Sequence, residues 1–297
     1  MAGQLTATVR SRPTSQRIAT AIVRRGLIHL VVLAIAVAWL VPTVGLLVSS
    51  FRPSNLVATT GWWTALLPPW DFTLSNYVRV LTTNNLAQSF ANSLLITIPA
   101  TLAPILIAAF AAYAFSWMTF AGRDLVFFVV VGLLVVPLQM TLIPILRLYN
   151  QASLTGTFPG IWLAHAGYGL PFAIYLLRNF FSSLPREMIE AAEIDGASPL
   201  TTFFRLLLPT SAPALAALTI FQFLWVWNDL LVALIYLGGE PSVAPLTVTV
   251  SNLVNSLGQN WELLTAAAFV SMALPLVVFF ALQRYFVSGI LAGSVKG

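Results

Sequence analysis

The sequence predicts an all-α integral membrane protein with six transmembrane helices. Two observations carry this prediction. Apolar residue types make up 59% of the 297 residues and only 8% are charged, where a soluble domain carries about 25%. The few charges also divide the chain into six apolar stretches, each long enough for the roughly 20 residues that cross a bilayer.

The first stretch, Gly26 to Phe51, lies between Arg25 and Arg52 and gives a span over 27–51 behind a basic tail at 1–26. It contains Ala36-Val37-Ala38, the small-residue pattern of a signal-peptide cleavage site, but apolar sequence continues to Leu47, so it reads as an uncleaved span. An external loop at 52–88 follows. A core at 89–286 then holds five more stretches: Phe90 to Trp117, Leu125 to Leu146, Pro159 to Leu177, Pro213 to Leu237 and Leu263 to Leu282. A short tail at 287–297 closes the chain. Six spans put both termini on one side. That side carries Arg10, Arg12, Arg17, Arg24, Arg25, Arg123, Arg178, Arg186, Arg205, Arg284 and Lys296, against Arg52, Arg79 and Arg147 on the other. The positive-inside rule makes the richer side cytoplasmic. Trp62, Trp63, Trp70 and Trp261 sit at the external boundaries, as an interfacial belt does.

Composition also excludes functions. With no Cys, no disulfide framework, thiolate nucleophile or zinc-thiolate site exists, and two His leave little for metal binding. The net charge of +5 is spread thinly along the chain, which fits membrane orientation rather than nucleic acid. The chain holds no Gly-x-x-x-x-Gly-Lys-Ser/Thr loop, and its one Lys is Lys296. Any energy from ATP must come from another polypeptide.

One polar segment stands out, the cytoplasmic loop 182–209. It holds Glu187, Glu190, Glu193 and Asp195 within nine residues. Ser183 is placed to cap a short helix, with Pro185 and Glu187 in its first turn. Gly196 sits where a C-terminal glycine belongs, and Ser198-Pro199 starts a second helix. The result is a helix–turn–helix elbow. It is either a connector resting on headgroups or a docking helix. Glu187, Glu190 and Glu193 share one stripe, which an anionic leaflet repels and a groove on a protein partner can take.

Glu190-Ala191-Ala192, three residues, Gly196, nine residues, Leu206, one residue and Leu208-Pro209 together resemble the EAA loop of ABC importer membrane subunits. Leu206 stands where the pattern usually has Ile. The resemblance extends along most of the chain. Ser50-Phe51-Arg52-Pro53, Phe72-Thr73-Leu74-Ser75-Asn76-Tyr77, Trp227-Asn228-Asp229 and the ending Gly293-Ser294-Val295-Lys296-Gly297 are similar to the carbohydrate-importing, maltose-type branch. Val136-Pro137-Leu138-Gln139-Met140 and the stretch Phe223 to Leu231 look like α-glucoside permeases.

The resemblance implies the fold of a binding-protein-dependent transport system inner-membrane component, multi-pass in a bacterial cytoplasmic membrane. It implies that Glu190, Ala191, Ala192, Asp195 and Gly196, with Leu206 and Pro209 of the same motif, couple to an ATP-hydrolysing subunit. It implies as partners a second, commonly non-identical permease subunit, two ATP-binding subunits and an extracytoplasmic sugar-binding protein. ATP and magnesium would belong to the ATP-binding subunits and no cofactor to this chain. The implied work is sugar import by alternating access.

Ionisable groups inside a span are functional hypotheses. Asp229 is the deepest one. Gln222, Trp225 and Asp229 fall on one helical face at i, i+3 and i+7, with Asn228 adjacent. Tyr168 lies among Gly160, Gly167, Gly169 and Pro171 in the fourth stretch. Aromatic faces with amide, hydroxyl and carboxylate groups suit a sugar, while an interhelical polar clamp explains the same residues. Asn92, Gln139 and His165 read as packing, since no second His or acid lies at helical spacing from His165. Residues 238–262 form an external loop with a β-prone run from Leu246 to Val250. No basic residue lies deep in a span, so the substrate is expected to be neutral. The rivals are a permease for another neutral solute such as a polyol, and an ion-coupled secondary transporter, which would call for inverted repeats and paired carboxylates.

Overall fold

The fold is described from a computed structural model over residues 15–82, 85–253 and 260–294. The expected polar tail before Ser15 and the last three residues, Lys296 among them, lie outside the described residues. All the described regular structure is helical. In chain order the helices are α1 (Ser15–Ser50), α2 (Ser54–Thr59), α3 (Ser75–Thr82), α4 (Leu86–Trp117), α5 (Arg123–Gly132), α6 (Leu138–Gln151) and α7 (Phe158–Phe181). Then come α8 (Arg186–Ile194), α9 (Pro199–Thr202), α10 (Leu208–Thr210), α11 (Ala212–Trp227), α12 (Leu231–Leu237), α13 (Leu246–Asn252) and α14 (Trp261–Ser294). Helix α1 begins inside the segment expected as a tail, and α14 continues through most of the expected C-terminal tail.

Among the described residues four helices are long and apolar enough to cross a membrane, α1, α4, α7 and α14, and there are up to six spans if each of two bent pairs counts as one. The third expected span is not one straight helix. It breaks into α5, a 3-10 turn at Leu133–Val135, and α6, with a bend of 103°. Pro137 causes the break: the residue before a proline is pushed out of the helical region, and Val136 lies at φ −74, ψ 117. The fifth expected span also breaks. Helix α11 stops at Trp227, and the chain restarts as α12 after Asn228, Asp229 and Leu230.

Helices α4 and α7 pack along one another, and α11 lies against α4, α7 and α14. Helix α1 rests on α14 and on a 3-10 turn at Trp62–Leu66. Its residues 24–44 are exposed and almost all apolar, as a lipid-facing helix requires.

Prolines inside these helices have a specific consequence. A proline at position i has no N–H to give the carbonyl at i−4. Pro99 and Pro104 in α4 therefore free the carbonyls of Leu95 and Ala100, and Pro275 in α14 frees that of Ser271. Each receives a donor from a neighbouring helix. Trp162 Nε1 donates to Leu95 O at 2.8 Å, Gln222 Nε2 to Ala100 O at 3.1 Å, and Trp227 Nε1 to Ser271 O at 3.1 Å. Where hydrocarbon offers no water, the neighbouring helix must meet the need.

Two of the sequence patterns singled out above meet in the segment between α1 and α4. Asn76 Nδ2 donates to the carbonyls of Ser50 and Arg52 at 3.0 and 2.8 Å. Ser50 Oγ lies 2.8 Å from Tyr77 Oη, whose ring stands 5.0 Å from that of Phe51. Arg52, 2% exposed, turns inward and donates to Leu56 O, Thr60 O, Thr60 Oγ1 and Thr64 Oγ1. It thus ties the end of α2 to the turn that follows it.

Candidate functional site

The elbow is built by burying one side of α8 and leaving the other free. Ile189 is buried, and Leu184 and Met188 pack beside it, against a cluster that includes Leu177, Phe181, Phe203 and Leu207. Glu187, Glu190, Ala191, Glu193, Asp195 and Gly196 are exposed and Ala192 is half-buried. Ile194 is 86% exposed, an apolar knob at the tip of an acidic helix. The expected cap at Ser183 is not formed. Its hydroxyl donates to Phe180 O at 2.7 Å, closing α7, and Pro185 occupies the position before α8. The turn after α8 follows the glycine logic. Gly196 adopts φ +74, Gly196 N donates to Glu193 O and Ala197 N to Ala192 O, both at 3.0 Å, a Schellman closure. Ser198 Oγ caps α9 by accepting from Thr201 N at 3.2 Å.

A π-helical turn, Phe203–Leu207, follows α9, and the chain bends by 76° between α10 and α11. Phe203 stacks on Phe110 of α4 at 4.4 Å and leans on Tyr113 at 5.6 Å. Leu206 is half-buried against the same cluster and Pro209 is exposed. The elbow is thereby wedged by its apolar side onto the ends of α4 and α7. A push on its free side reaches both helices, because a packed core transmits displacement rather than absorbing it.

A cavity of about 540 Å³ lies at the other candidate site. Trp225 and Tyr168 line it, with Thr141, Tyr149 and apolar residues of α6 and α7. A second cavity of about 290 Å³ shares Tyr168 and Trp225 and adds Phe172, Gly169 and Gln222. Neither is lined by a charged side chain. Tyr168 Oη is held 2.9 Å from Thr141 Oγ1 and 2.8 Å from Tyr236 Oη, which fixes its ring between α6 and α12.

The structure separates the other candidates. Gln222 is buried and committed to Ala100 O, and Gly169 faces its amide so closely that a Cβ there would lie 2.7 Å away. Asn228 is exposed and its amide folds back onto Leu224 O at 2.8 Å. Asp229 does not share a helical face with Gln222 and Trp225, because α11 ends before it. Its carboxylate accepts from Val232 N at 3.2 Å and Ala233 N at 2.9 Å, capping α12. His165, which sequence spacing left without an acid, lies with Nε2 3.8 Å from Asp229 Oδ2, since the acid comes from another element.

The segment after α12 is anchored by Asn92, which the sequence reads as packing, and by Ser89 and Ser93 beside it. Asn92 Nδ2 donates to Ser242 O and Ala244 O at 3.0 and 3.1 Å, Leu246 N donates to Ser93 Oγ at 2.8 Å, and Ser89 Oγ lies 2.6 Å from Thr249 Oγ1. The signal was a polar stripe, Ser89, Asn92 and Ser93, on a mostly apolar helix. The run from Leu246 to Val250 is helical as α13, not extended, because Pro245 starts it and Ser93 takes its first N–H. Tertiary contacts here override β-propensity. Replacing Asn92 with leucine leaves two carbonyls without their donor and is expected to cost about 2 kcal/mol. Limited proteolysis in detergent should then cut at 238–253 several times faster than in wild type, while the thermal melt of the helical core shifts little.

Comparison with known proteins gives concordant results. The family model for the binding-protein-dependent transport system inner membrane component matches residues 25–291. The chain is 60% identical over 272 residues to the osmoprotective compounds uptake permease protein GgtD of Synechocystis sp., covering 91% of each. It is 57% identical over 241 residues to the alpha-glucoside transport system permease protein AglG of Rhizobium meliloti. That match covers 80% of this chain and 63% of the relative's length. A chain from the crystal structure of a bacterial ABC transporter that imports the acidic polysaccharide alginate superposes with a TM-score of 0.75 at 24% identity. The superposition covers 94% of this chain and all of that one.

Proposed function

The chain belongs to the family of binding-protein-dependent transport system inner membrane components, and from that premise we propose that it is the membrane-spanning subunit through which a neutral sugar, an α-glucoside or short oligosaccharide, enters the cytoplasm. The observation that carries this reading is the elbow: an acidic helix with an exposed Ile194 tip, clamped by its apolar side to the ends of α4 and α7. Such a helix fits a cleft on a protein partner, and its clamp turns movement of that partner into movement of the spans. The coupling residues are Glu190, Ala191, Ala192, Asp195 and Gly196, with Leu206 and Pro209 of the same motif.

The partner is an ATP-hydrolysing subunit, present twice. ATP and magnesium bind there and not on this chain, whose sequence has no phosphate-binding loop. A second permease subunit completes the pathway, and a binding protein outside the membrane delivers the sugar. Both termini face the cytoplasm. Closure of the ATPase pair pulls on the elbow and opens the spans outward. Hydrolysis returns them to the inward-open state.

The cavity at Trp225 and Tyr168 supplies what a sugar needs and a charged solute does not. An indole face meets the apolar C–H face of a pyranose ring, and fixed hydroxyls meet its hydroxyl groups. A polyol or another neutral osmoprotective solute is the second reading, favoured by the relative that takes up osmoprotective compounds.

The test is reconstitution of the full complex in liposomes, with uptake and ATP hydrolysis measured across α-glucosides, unrelated disaccharides, polyols and a charged sugar. Stimulation by α-glucosides supports the first reading, and stimulation by polyols alone supports the second. Failure of any ATPase subunit to co-purify overturns both. With the best substrate in hand, Trp225→Ala is expected to raise the uptake KM roughly fivefold, from the loss of about 1 kcal/mol of stacking. Trp225→Phe should keep most of the affinity.

A further inference from the structure

The break between α11 and α12 brings together groups that the coupling scheme leaves unused. His165 of α7 is 1% exposed, and its Nδ1 is buried without a hydrogen-bond partner. Its ring meets the Trp225 indole edge-on, with centroids 5.5 Å apart and planes at 86°. Its Nε2 faces Asp229 Oδ2 at 3.8 Å, within ion-pair range but beyond hydrogen-bond reach. Asp229 in turn has two attachments. Its carboxylate holds the first N–H groups of α12, and its carbonyl accepts from Thr247 Oγ1 of α13 at 2.6 Å.

A continuous chain of contacts therefore runs from α13 through Thr247, Asp229 and His165 to Trp225 at the cavity wall. Two features mark it as more than packing. Close packing alone would fill this site with an apolar side chain, whereas it holds an imidazole with one unpaired nitrogen and an acid parted from it by less than an ångström beyond bonding distance. The acid also lies in three non-helical residues between two helices, where a small rotation of α12 changes the His165–Asp229 separation directly. Bringing the two within about 3 Å makes a hydrogen bond, and parting them breaks it.

We propose that His165 and Asp229 are positioning residues that set the Trp225 ring in the cavity according to where the segment 238–253 stands, so that events outside the membrane adjust the grip on substrate. The proposal rests on the reading of the Trp225 cavity as part of the sugar pathway.

The experiment measures the KM and maximal rate of sugar uptake in the reconstituted full complex, with His165→Phe and Thr247→Val made singly and each combined with Trp225→Ala. His165→Phe keeps a ring against Trp225 and removes the nitrogens. Thr247→Val cuts the chain at its far end without touching the cavity. Each single change is expected to raise KM about threefold with little change in maximal rate, and to add nothing in the Trp225→Ala background, since both act through the indole. Effects of equal size in both backgrounds, or no effect of either change on KM while Trp225→Ala raises it, overturn the proposal and leave the cavity reading standing. An unchanged KM in Trp225→Ala itself overturns both. If His165→Phe does not assemble, His165→Gln replaces it, and Thr247→Val carries the same comparison.

Discussion

Gly196→Val is expected to reduce sugar-stimulated ATP hydrolysis by the assembled complex to below about a tenth of wild type, with the thermal melt of the permease nearly unchanged. Gly196 sits at φ +74 with open space around its Cα, so the obstacle to a side chain is the backbone and not a neighbour. A β-branched residue in that region costs about 1–2 kcal/mol. The turn relieves the strain by leaving φ > 0, which unmakes the Schellman closure and re-aims the exposed end of α8. The spans are not touched, because the apolar side of α8 is held by Leu184, Met188 and Ile189. Gly122→Val is the matched control. It meets the same strain at φ +78, also in open space, at the turn before α5. Equal loss in both variants would assign the effect to general strain, and normal hydrolysis in Gly196→Val would reduce the elbow to a connector.

Trp227→Ala is expected to destabilise the chain by about 3–5 kcal/mol, the largest single effect on stability. Trp227 is 2% exposed and stacks on Phe223 at 5.7 Å, while Phe90 meets it edge-on at 5.6 Å. Its indole N–H serves the carbonyl that Pro275 frees. Trp227→Phe keeps most of the packing and removes only the donor, and should cost about 1 kcal/mol, the scale of interhelical hydrogen bonds in membrane bundles. Thermal unfolding in detergent separates the two. A small and equal shift for both variants would mean that neither the ring nor the donor holds α11 to α14.

The sequence made the spans and the elbow legible because their determinants are local. Charges interrupt hydrophobic runs, Gly196 follows a short periodic helix, and Ser198-Pro199 starts another. The two breaks were present as Val136-Pro137 and Asn228-Asp229, but counting apolar residues runs straight across them. Asp229 was singled out for its rarity and not for its work as a cap, which becomes visible only once α11 is known to stop at Trp227. The His165–Asp229 approach and the anchoring of α13 by Asn92 and Ser93 were not legible, since each joins elements far apart in the chain. Periodicity within one helix says nothing about which residues of another will face it.

Three of the proline-freed carbonyls, those of Leu95, Ala100 and Ser271, restrict how this molecule can move. Each is matched to one donor on one neighbouring helix, so a slide of α4 against α7, or of α14 against α11, by a single turn strands a bare carbonyl in hydrocarbon. Shear between these helices is thus penalised in a way that smooth apolar surfaces would not penalise it. Bending is easier where the backbone is already interrupted, at Pro137, at Asn228–Leu230 and at the bend behind the elbow. A chain so rich in prolines inside its spans is stiffer as an assembly for having them.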